Sequence, residues 1–325
     1  MGRLSQQLLS GLPQTGINHP HNPLPRAPCA APLSAVSAKM TVPSSPSVGI
    51  AGMGIIGSRV ASSLRSRGLS VHVWNRTERP ELQGWCPDPA SLAAASDIIQ
   101  IFVRDAKALK EVIDAMLPSL TKGKTVVNSA TVSLAATREA AKLIKKTGAD
   151  FLDAPFTGSR DAAADGQLTY YAGGSPKVIE RVRPILEASG KQILTTGDIG
   201  SATILKIATN MVSAVTVQAL SEALGVVASQ GIPLEKFREA MEVNANCSGL
   251  VRMKLPAMIA GDYTPHFSLK NMLKDARYAL ALAGQGGMEV PVLTAAAACM
   301  AGLEAGGHGD EDYSALARHY LEPRD

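Results

Sequence analysis

From residue 47 onward the chain alternates short apolar runs with segments of helical period. Val48–Ala51, Leu69–Trp74, Asp97–Val103, Lys124–Asn128 and Ala149–Asp153 are dominated by Val, Ile, Phe and Leu, with few polar interruptions. Runs that are apolar on both faces belong to strands buried on both sides. Between them, Ser58–Leu64, Ala106–Leu120 and Ser133–Thr147 read as helices, with Ser133 placed to cap the last of these. Strands and helices alternating at this spacing predict a parallel sheet covered on both faces. Leu168–Gly173 and Gln192–Thr196 would extend it, and the polar, proline-marked stretch 77–89 reads as loop.

The pattern changes near Gly200. Ser201–Gln230 is one apolar-rich helical stretch without a proline, and Pro233–Val243, Gly249–Ala260, Ser268–Ala283 and Pro291–Ala305 also read as helices. No strand pattern returns. The expected architecture is therefore α/β: a Rossmann-type parallel-sheet domain over 47–200, then an all-helical domain over 201–325. A helix as long as the first of that domain would line the cleft between the two.

Composition narrows the class. Of 325 residues, 46% are apolar and 18% charged, which fits a soluble globular protein. The Ala-rich stretches are broken by polar residues, so no membrane span is expected. The formal charge is +4, but residues 1–46 hold Arg3, Arg26 and Lys39 and no acid. Without them 29 basic residues face 28 acidic ones, and nothing points to nucleic acid. Cys29, Cys86, Cys247 and Cys299 are far apart, and the six histidines form no i, i+4 pair, so neither a disulfide framework nor a metal site is expected. Residues 1–46 are rich in Ser, Pro, Ala and Leu and lack the apolar core of a secretory signal. They read as an organellar transit peptide without a fold of its own, whose prolines favour a plastid over a mitochondrion. Met40 would start a shorter, cytosolic form.

The candidate chemistry sits where the predicted strands end. Val48–Ala51 runs into Gly52-Met53-Gly54-Ile55-Ile56-Gly57. In a dinucleotide site Gly52 permits the turn, Gly54 lets a pyrophosphate approach the backbone, and Gly57 lets the helix lie against the strand. Alone, the hexapeptide fits an ordinary tight turn equally well. Its place between a strand and a helix, with a second strand following, favours the cofactor. That second strand ends in Asn75-Arg76-Thr77, at the position that reads the adenosine ribose. A neutral Asn followed by a cation favours NADP over NAD, with NAD possible; the plain alternative for Arg76 is a solvated loop arginine. Other strand ends bring Val103, Thr131 and the stretch Asp153–Ser159. There Thr157, Gly158 and Ser159 offer a hydroxyl and backbone N–H groups to a small carboxylate, or form a simple turn. Lys206 and Asn210 are four apart on the long helix, on one largely apolar face. An ammonium near an apolar cleft has a lowered pKa suited to proton transfer; the alternative is a lysine that snorkels to water.

Together these residues resemble the β-hydroxyacid dehydrogenase family over about residues 47–320. Gly49–Gly57 matches its opening motif, and Asn75-Arg76-Thr77 matches its NADP-using members. Asp153-Ala154-Pro155-Phe156-Thr157-Gly158-Ser159 is similar to its substrate signature, with Thr157 in place of the usual Ser. Ser159 and Ala164–Leu168 resemble the glyoxylate/succinic semialdehyde reductase branch. Lys206 and Asn210 match the catalytic Lys-x-x-x-Asn. Phe267, Leu269, Lys270, Lys274 and Asp275 match a later element whose second lysine, here Lys274, reaches the nicotinamide side of the cleft. The chain departs from the pattern at Asn128–Thr131, where only Thr131 carries over as a contact, at Phe156, bulkier than the usual Val, and at Arg104, charged where most relatives are not.

The resemblance implies hydride transfer between NADP(H) and a small hydroxy or aldehydo acid. Lys206 would exchange the proton, Asn210 would orient the oxygen, Thr157 and Gly158 would hold the carboxylate, and Lys274 would steady the cofactor. A glyoxylate/succinic semialdehyde substrate is expected first, and 3-hydroxyisobutyrate or tartronate semialdehyde chemistry second. It also implies a homo-oligomer, dimer or tetramer. Phosphogluconate dehydrogenases differ at the positions of Thr209 and Ser213, and imine reductases usually replace the lysine. A non-catalytic NADP-binding module is the rival from another class, and the intact Lys206 argues against it.

Overall fold

A computed structural model describes residues 45–322; the expected leader lies outside them except for its last two positions. In chain order the sheet-bearing part comprises β1 (Val48–Ala51), α1 (Ile55–Ser66), β2 (Val71–Trp74), α2 (Pro89–Ala94), β3 (Ile98–Ile101), α3 (Ala106–Met116), β4 (Thr125–Asn128), α4 (Leu134–Lys146), β5 (Asp150–Asp153), β6 (Phe156–Thr157), α5 (Arg160–Ala164), β7 (Leu168–Gly173), α6 (Pro176–Glu187) and β8 (Gly190–Gly197). Then follow α7 (Ser201–Ser229), α8 (Leu234–Glu242), α9 (Gly249–Ala260), α10 (Leu269–Gln285), α11 (Pro291–Leu303) and α12 (Arg318–Leu321).

Every residue of β1, β3 and β4 is buried. Successive side chains divide between two cores. Val48, Ile50, Val127 and Leu152 pack with Val60, Leu64, Val182 and Leu186, while Ala51, Ile99, Val126 and Phe151 pack with Leu92, Leu109, Ile113 and Ile144. This two-sided burial is why the runs are apolar throughout. The strand order is β2-β1-β3-β4-β5-β7-β6, with β8 beside β7. β1 to β5 are parallel, Val48 facing both Val71 and Ile98.

The expected extension of the parallel sheet is present, but its far edge reverses direction. β7 runs antiparallel to β5 and to β6, and β8 returns parallel to β7. Local periodicity carries no strand direction, so this reversal is invisible in the sequence pattern. Three helices of the sheet-bearing part were also unanticipated. α2 and α5 are too short to show a period, and α6 contains Pro184 within it. α3 stops at Met116, short of the expected Leu120, and Pro118 lies in the short 3-10 turn that follows. Ser133 caps α4 as expected, its Oγ accepting from Ala136 N at 3.2 Å.

From Ser201 the chain is helical. α7 is 29 residues long and packs against α8 to α12 and against β5, β7 and β8. Its inner face, including Val217, Leu220 and Leu224, meets Met258, Leu273, Met300 and Leu316. By length and mean hydropathy, 1.6, α7 meets the requirement for crossing a membrane, contrary to the sequence expectation. Within this fold it is the shared support of the other helices.

Candidate active site

The β1–α1 turn is built by close approach. A Cβ on Gly52, which has φ of +104°, would lie 2.0 Å from the Phe102 carbonyl oxygen, and a Cβ on Gly57 would lie 2.0 Å from the Gly52 carbonyl oxygen. These two glycines let β1, β3 and α1 touch backbone to backbone. Gly54 differs, because a Cβ there would meet nothing within 4 Å. It opens α1, which has no side-chain cap and no acidic residue in its first turn. Such a helix start suits an anion. Met53 is buried, Ile56 is half-buried and Ile55 is 52% exposed.

Asn75 joins this turn to the end of β2. Its Oδ1 accepts from Met53 N at 3.0 Å and its Nδ2 donates to the Thr77 carbonyl at 3.0 Å. The amide side chain is thus a latch between two loops, and no carboxylate stands at that place. Arg76 and Thr77, next along, are exposed. Val103 is half-buried at the end of β3, after the Phe102 backbone that braces Gly52.

Lys206 and Asn210 share one side of α7. Lys206 is half-buried and Asn210 is buried. Burial pushes the Lys206 ammonium down to about 8; the nearby Asp275 charge opposes this and Lys274 adds to it. Asn210 Nδ2 donates to Asp275 Oδ2 at 2.7 Å, and Lys274 Nζ donates to Asp275 Oδ1 at 2.6 Å. Lys274 Nζ also donates to the Thr131 carbonyl at 2.7 Å, and lies 4.9 Å from the centre of the Tyr278 ring. One buried carboxylate therefore fixes the Asn210 amide and an ammonium, and that ammonium ties α10 to the end of β4.

Sequence reasoning left Asp275 out of the candidate site. Its signal was an acid directly after Lys274 inside a helix otherwise bearing apolar residues on its packed face. A second acid, read only as the first residue of the Asp153–Ser159 stretch, was given no role of its own. Asp153, at the end of β5, is fully buried and accepts from Gly200 N, Thr203 N and Thr203 Oγ1 at the start of α7. Burial raises its pKa to about 6, and those hydrogen bonds pull it back.

Thr157 is half-buried at the end of β6, and Gly158 follows with φ of +133°. Ser159 caps α5, its Oγ accepting from Ala162 N at 3.1 Å. Hydrogen bonds thus join Asn210, Lys274 and Thr131 through Asp275, and Lys206 is coupled to them by charge alone. Thr157, Gly158 and Ser159 have no hydrogen bond to that cluster among the described residues. Among those residues no group of His, Cys, Asp and Glu side chains is arranged to hold a metal.

Two family models match successive stretches of the chain. Residues 47–197 match a family model described as the NAD binding domain of 6-phosphogluconate dehydrogenase. Residues 200–320 match one described as NAD-binding of NADP-dependent 3-hydroxyisobutyrate dehydrogenase. Over 281 residues the chain is 32% identical to glyoxylate/succinic semialdehyde reductase 2, chloroplastic, of Arabidopsis thaliana, covering 83% of this chain and 78% of that protein. Over 295 residues it is 29% identical to cytokine-like nuclear factor N-PAC of Mus musculus, covering 90% of this chain and 54% of that protein. This chain therefore spans about half the length of that second relative. A solved structure of Mycobacterium tuberculosis 3-hydroxyisobutyrate dehydrogenase with L-serine aligns with a TM-score of 0.77 at 23% identity, over 86% of this chain and 99% of that one. At that identity the likeness is one of fold.

Proposed function

Since this chain belongs to the β-hydroxyacid dehydrogenase family of NAD(P)-dependent oxidoreductases, which act on CH–OH groups, we propose that it is an NADPH-dependent reductase of small aldehydo acids of the glyoxylate and succinic semialdehyde type. The similarity to the Arabidopsis reductase and the Ser159 and Ala164–Leu168 stretch support that substrate class. Substrates of the 3-hydroxyisobutyrate and tartronate semialdehyde kind are the alternative. The observation that carries the reading is the half-buried Lys206, its ammonium held near 8 beside the Asn210–Asp275–Lys274 chain.

The residues present fit the cofactor. Gly54 leaves open space at the uncapped start of α1, and the latch residue Asn75 is neutral. In this reading the backbone of Gly52, Met53, Gly54, Ile55, Ile56 and Gly57 takes the pyrophosphate. Asn75, Arg76 and Thr77 take the adenosine end, with Arg76 pairing with a 2′-phosphate, which supports NADPH over NADH. Val103, Thr131 and Lys274 line the path toward the nicotinamide. When bound, the nicotinamide supplies the hydride. Lys206 donates its proton to the carbonyl oxygen as that oxygen gains charge, and regains it from water. Asn210, oriented by Asp275, directs the oxygen toward Lys206. Thr157, Gly158 and Ser159 receive the carboxylate. Lys274 adds positive charge where the substrate and cofactor are both anionic.

Several further assignments belong to the same reading: a division into two domains near Gly200, a homo-oligomer built through the helical part, and delivery to a plastid. The last is supported by the composition of residues 1–46 and by the chloroplastic relative. The test is NADPH and NADH oxidation with a panel of small aldehydo acids. Turnover of glyoxylate or succinic semialdehyde with NADPH supports the reading. Bound NADPH with no turnover of any member contradicts it and favours a binding module instead.

A further inference from the structure

The carboxylate of Asp153 lies at the end of β5, yet all its described partners lie 47 to 50 residues later, at the start of α7. Oδ2 accepts from Gly200 N at 3.1 Å and from Thr203 N at 2.9 Å, and Oδ1 accepts from Thr203 Oγ1 at 2.8 Å. Thr203 Oγ1 is in turn 3.0 Å from Thr137 Oγ1 of α4. Asp153, Thr203 and Thr137 are all buried. The residue before α7 cannot cap it: Gly200 has φ of +97°, and a Cβ there would lie 2.6 Å from Leu134 Cδ1. The nearby Ser201 hydroxyl is turned to the Asp198 carbonyl. The negative end group that a helix start favours is therefore supplied from the sheet.

Thr203 stands one turn before Lys206 and two turns before Asn210, so the three share a side of α7. Three hydrogen bonds to one rigidly buried carboxylate fix both the rotation of the helix and its position along its axis. From this geometry we propose that Asp153 is a positioning residue: it sets the placement of the Lys206 ammonium by clamping the first turn of α7 to β5 and α4, without touching substrate or cofactor. This rests on Lys206 being the proton donor. Catalysis is sensitive to such placement, since a misplacement of about 1 Å can cost on the order of 100-fold in rate.

The test compares Asp153→Ala, Asp153→Asn, Lys206→Ala and the double variant Asp153→Ala/Lys206→Ala in the full chain, by single-turnover NADPH oxidation, steady-state kinetics and NADPH binding. Asp153→Ala should lower kcat at least tenfold with KM and NADPH Kd within threefold. Asp153→Asn should recover most of that loss, because its Oδ1 can still accept from Gly200 N and Thr203 N while Nδ2 donates to Thr203 Oγ1. In the Lys206→Ala background, Asp153→Ala should cost nothing further, because the residue it positions is gone. An unchanged kcat in Asp153→Ala, or the same fold loss in both backgrounds, overturns the proposal. If Asp153→Ala does not fold, Thr203→Val removes one donor at constant shape: a two- to fivefold fall in kcat that vanishes without Lys206 supports the proposal, and unchanged kcat overturns it. Near-normal turnover of Lys206→Ala would instead overturn the function assigned to Lys206, whatever Asp153 does.

Discussion

Asn210 on α7 donates its Nδ2 to the Asp275 carboxylate on α10 over 2.7 Å, joining residues 65 apart in the chain. The other oxygen of the same carboxylate accepts from Lys274 at 2.6 Å. A buried carboxylate is costly unless it is paired and hydrogen-bonded, and here both needs are met by Asn210 and Lys274. Asp275 is therefore the point through which two candidate site residues are held in fixed relation, and its charge bears on a third, Lys206.

Replacing Asp275 by Asn keeps the size and removes the charge. The Lys206 pKa, about 8 with Asp275 opposing the effect of burial, should then fall. In the reduction direction Lys206 acts while protonated, so the alkaline limb of the pH–rate profile moves to lower pH. Loss of Asn210 and Lys274 placement should lower kcat/KM by roughly 100-fold. A profile whose alkaline limb stays in place would break the link between Asp275 and Lys206.

The unaltered protein has its own pH signature. Aldehyde reduction should fall as pH rises through about 8, and alcohol oxidation should rise across the same interval, because the two directions need opposite protonation states of Lys206. Rates in both directions between pH 6 and 10 with saturating cofactor check this. A shared pH dependence for both directions would count against a lysine acid–base.

In the proposed function Arg76, exposed beyond the Asn75 latch, gives the preference for NADPH. A hydrogen bond between charged partners is worth about 1.5–3 kcal/mol. Arg76→Ala should therefore weaken NADPH about 10- to 100-fold and leave NADH within twofold. Titration of cofactor fluorescence with each dinucleotide measures both, and equal losses for NADPH and NADH would remove the assignment.

The glycines of the β1–α1 turn separate fold from binding. Gly57→Ala places a Cβ 2.0 Å from a backbone oxygen, so the backbone must move, at a cost of roughly 1–3 kcal/mol. Gly54→Ala meets no neighbour and should melt like the parent while binding NADPH at least tenfold more weakly. Thermal melts and cofactor titrations of the two variants give the comparison; undiminished NADPH affinity in Gly54→Ala would place the pyrophosphate elsewhere.

How much of this was legible in the sequence depended on range. The central strands announced themselves because Val48, Ile99 and Val126 are buried on one face or the other and leave no polar alternation. Ser133 was readable as a cap because its partner Ala136 is three residues away. The reversal of β7 was not readable, since pleat and period are the same in either direction. Asp153 and Asp275 stood in the motifs without a role of their own, because Gly200 and Thr203 lie 47 or more residues from the first and Asn210 lies 65 from the second. Lys206 and Asn210 were visible through their spacing, and the lowering of the lysine's pKa by burial through its apolar neighbours, but the Asp275 charge that opposes it and the bond that holds the amide emerged with the packing of α10 on α7.

The most direct test of the central claim is NADPH turnover with glyoxylate and succinic semialdehyde by the parent protein and by Lys206→Ala, with NADPH affinity measured for both. The predicted result is turnover of at least one aldehyde by the parent, a loss of roughly 1,000-fold or more in the variant, and NADPH binding within twofold in the two proteins. Near-parental turnover by Lys206→Ala, with cofactor bound, would contradict the account.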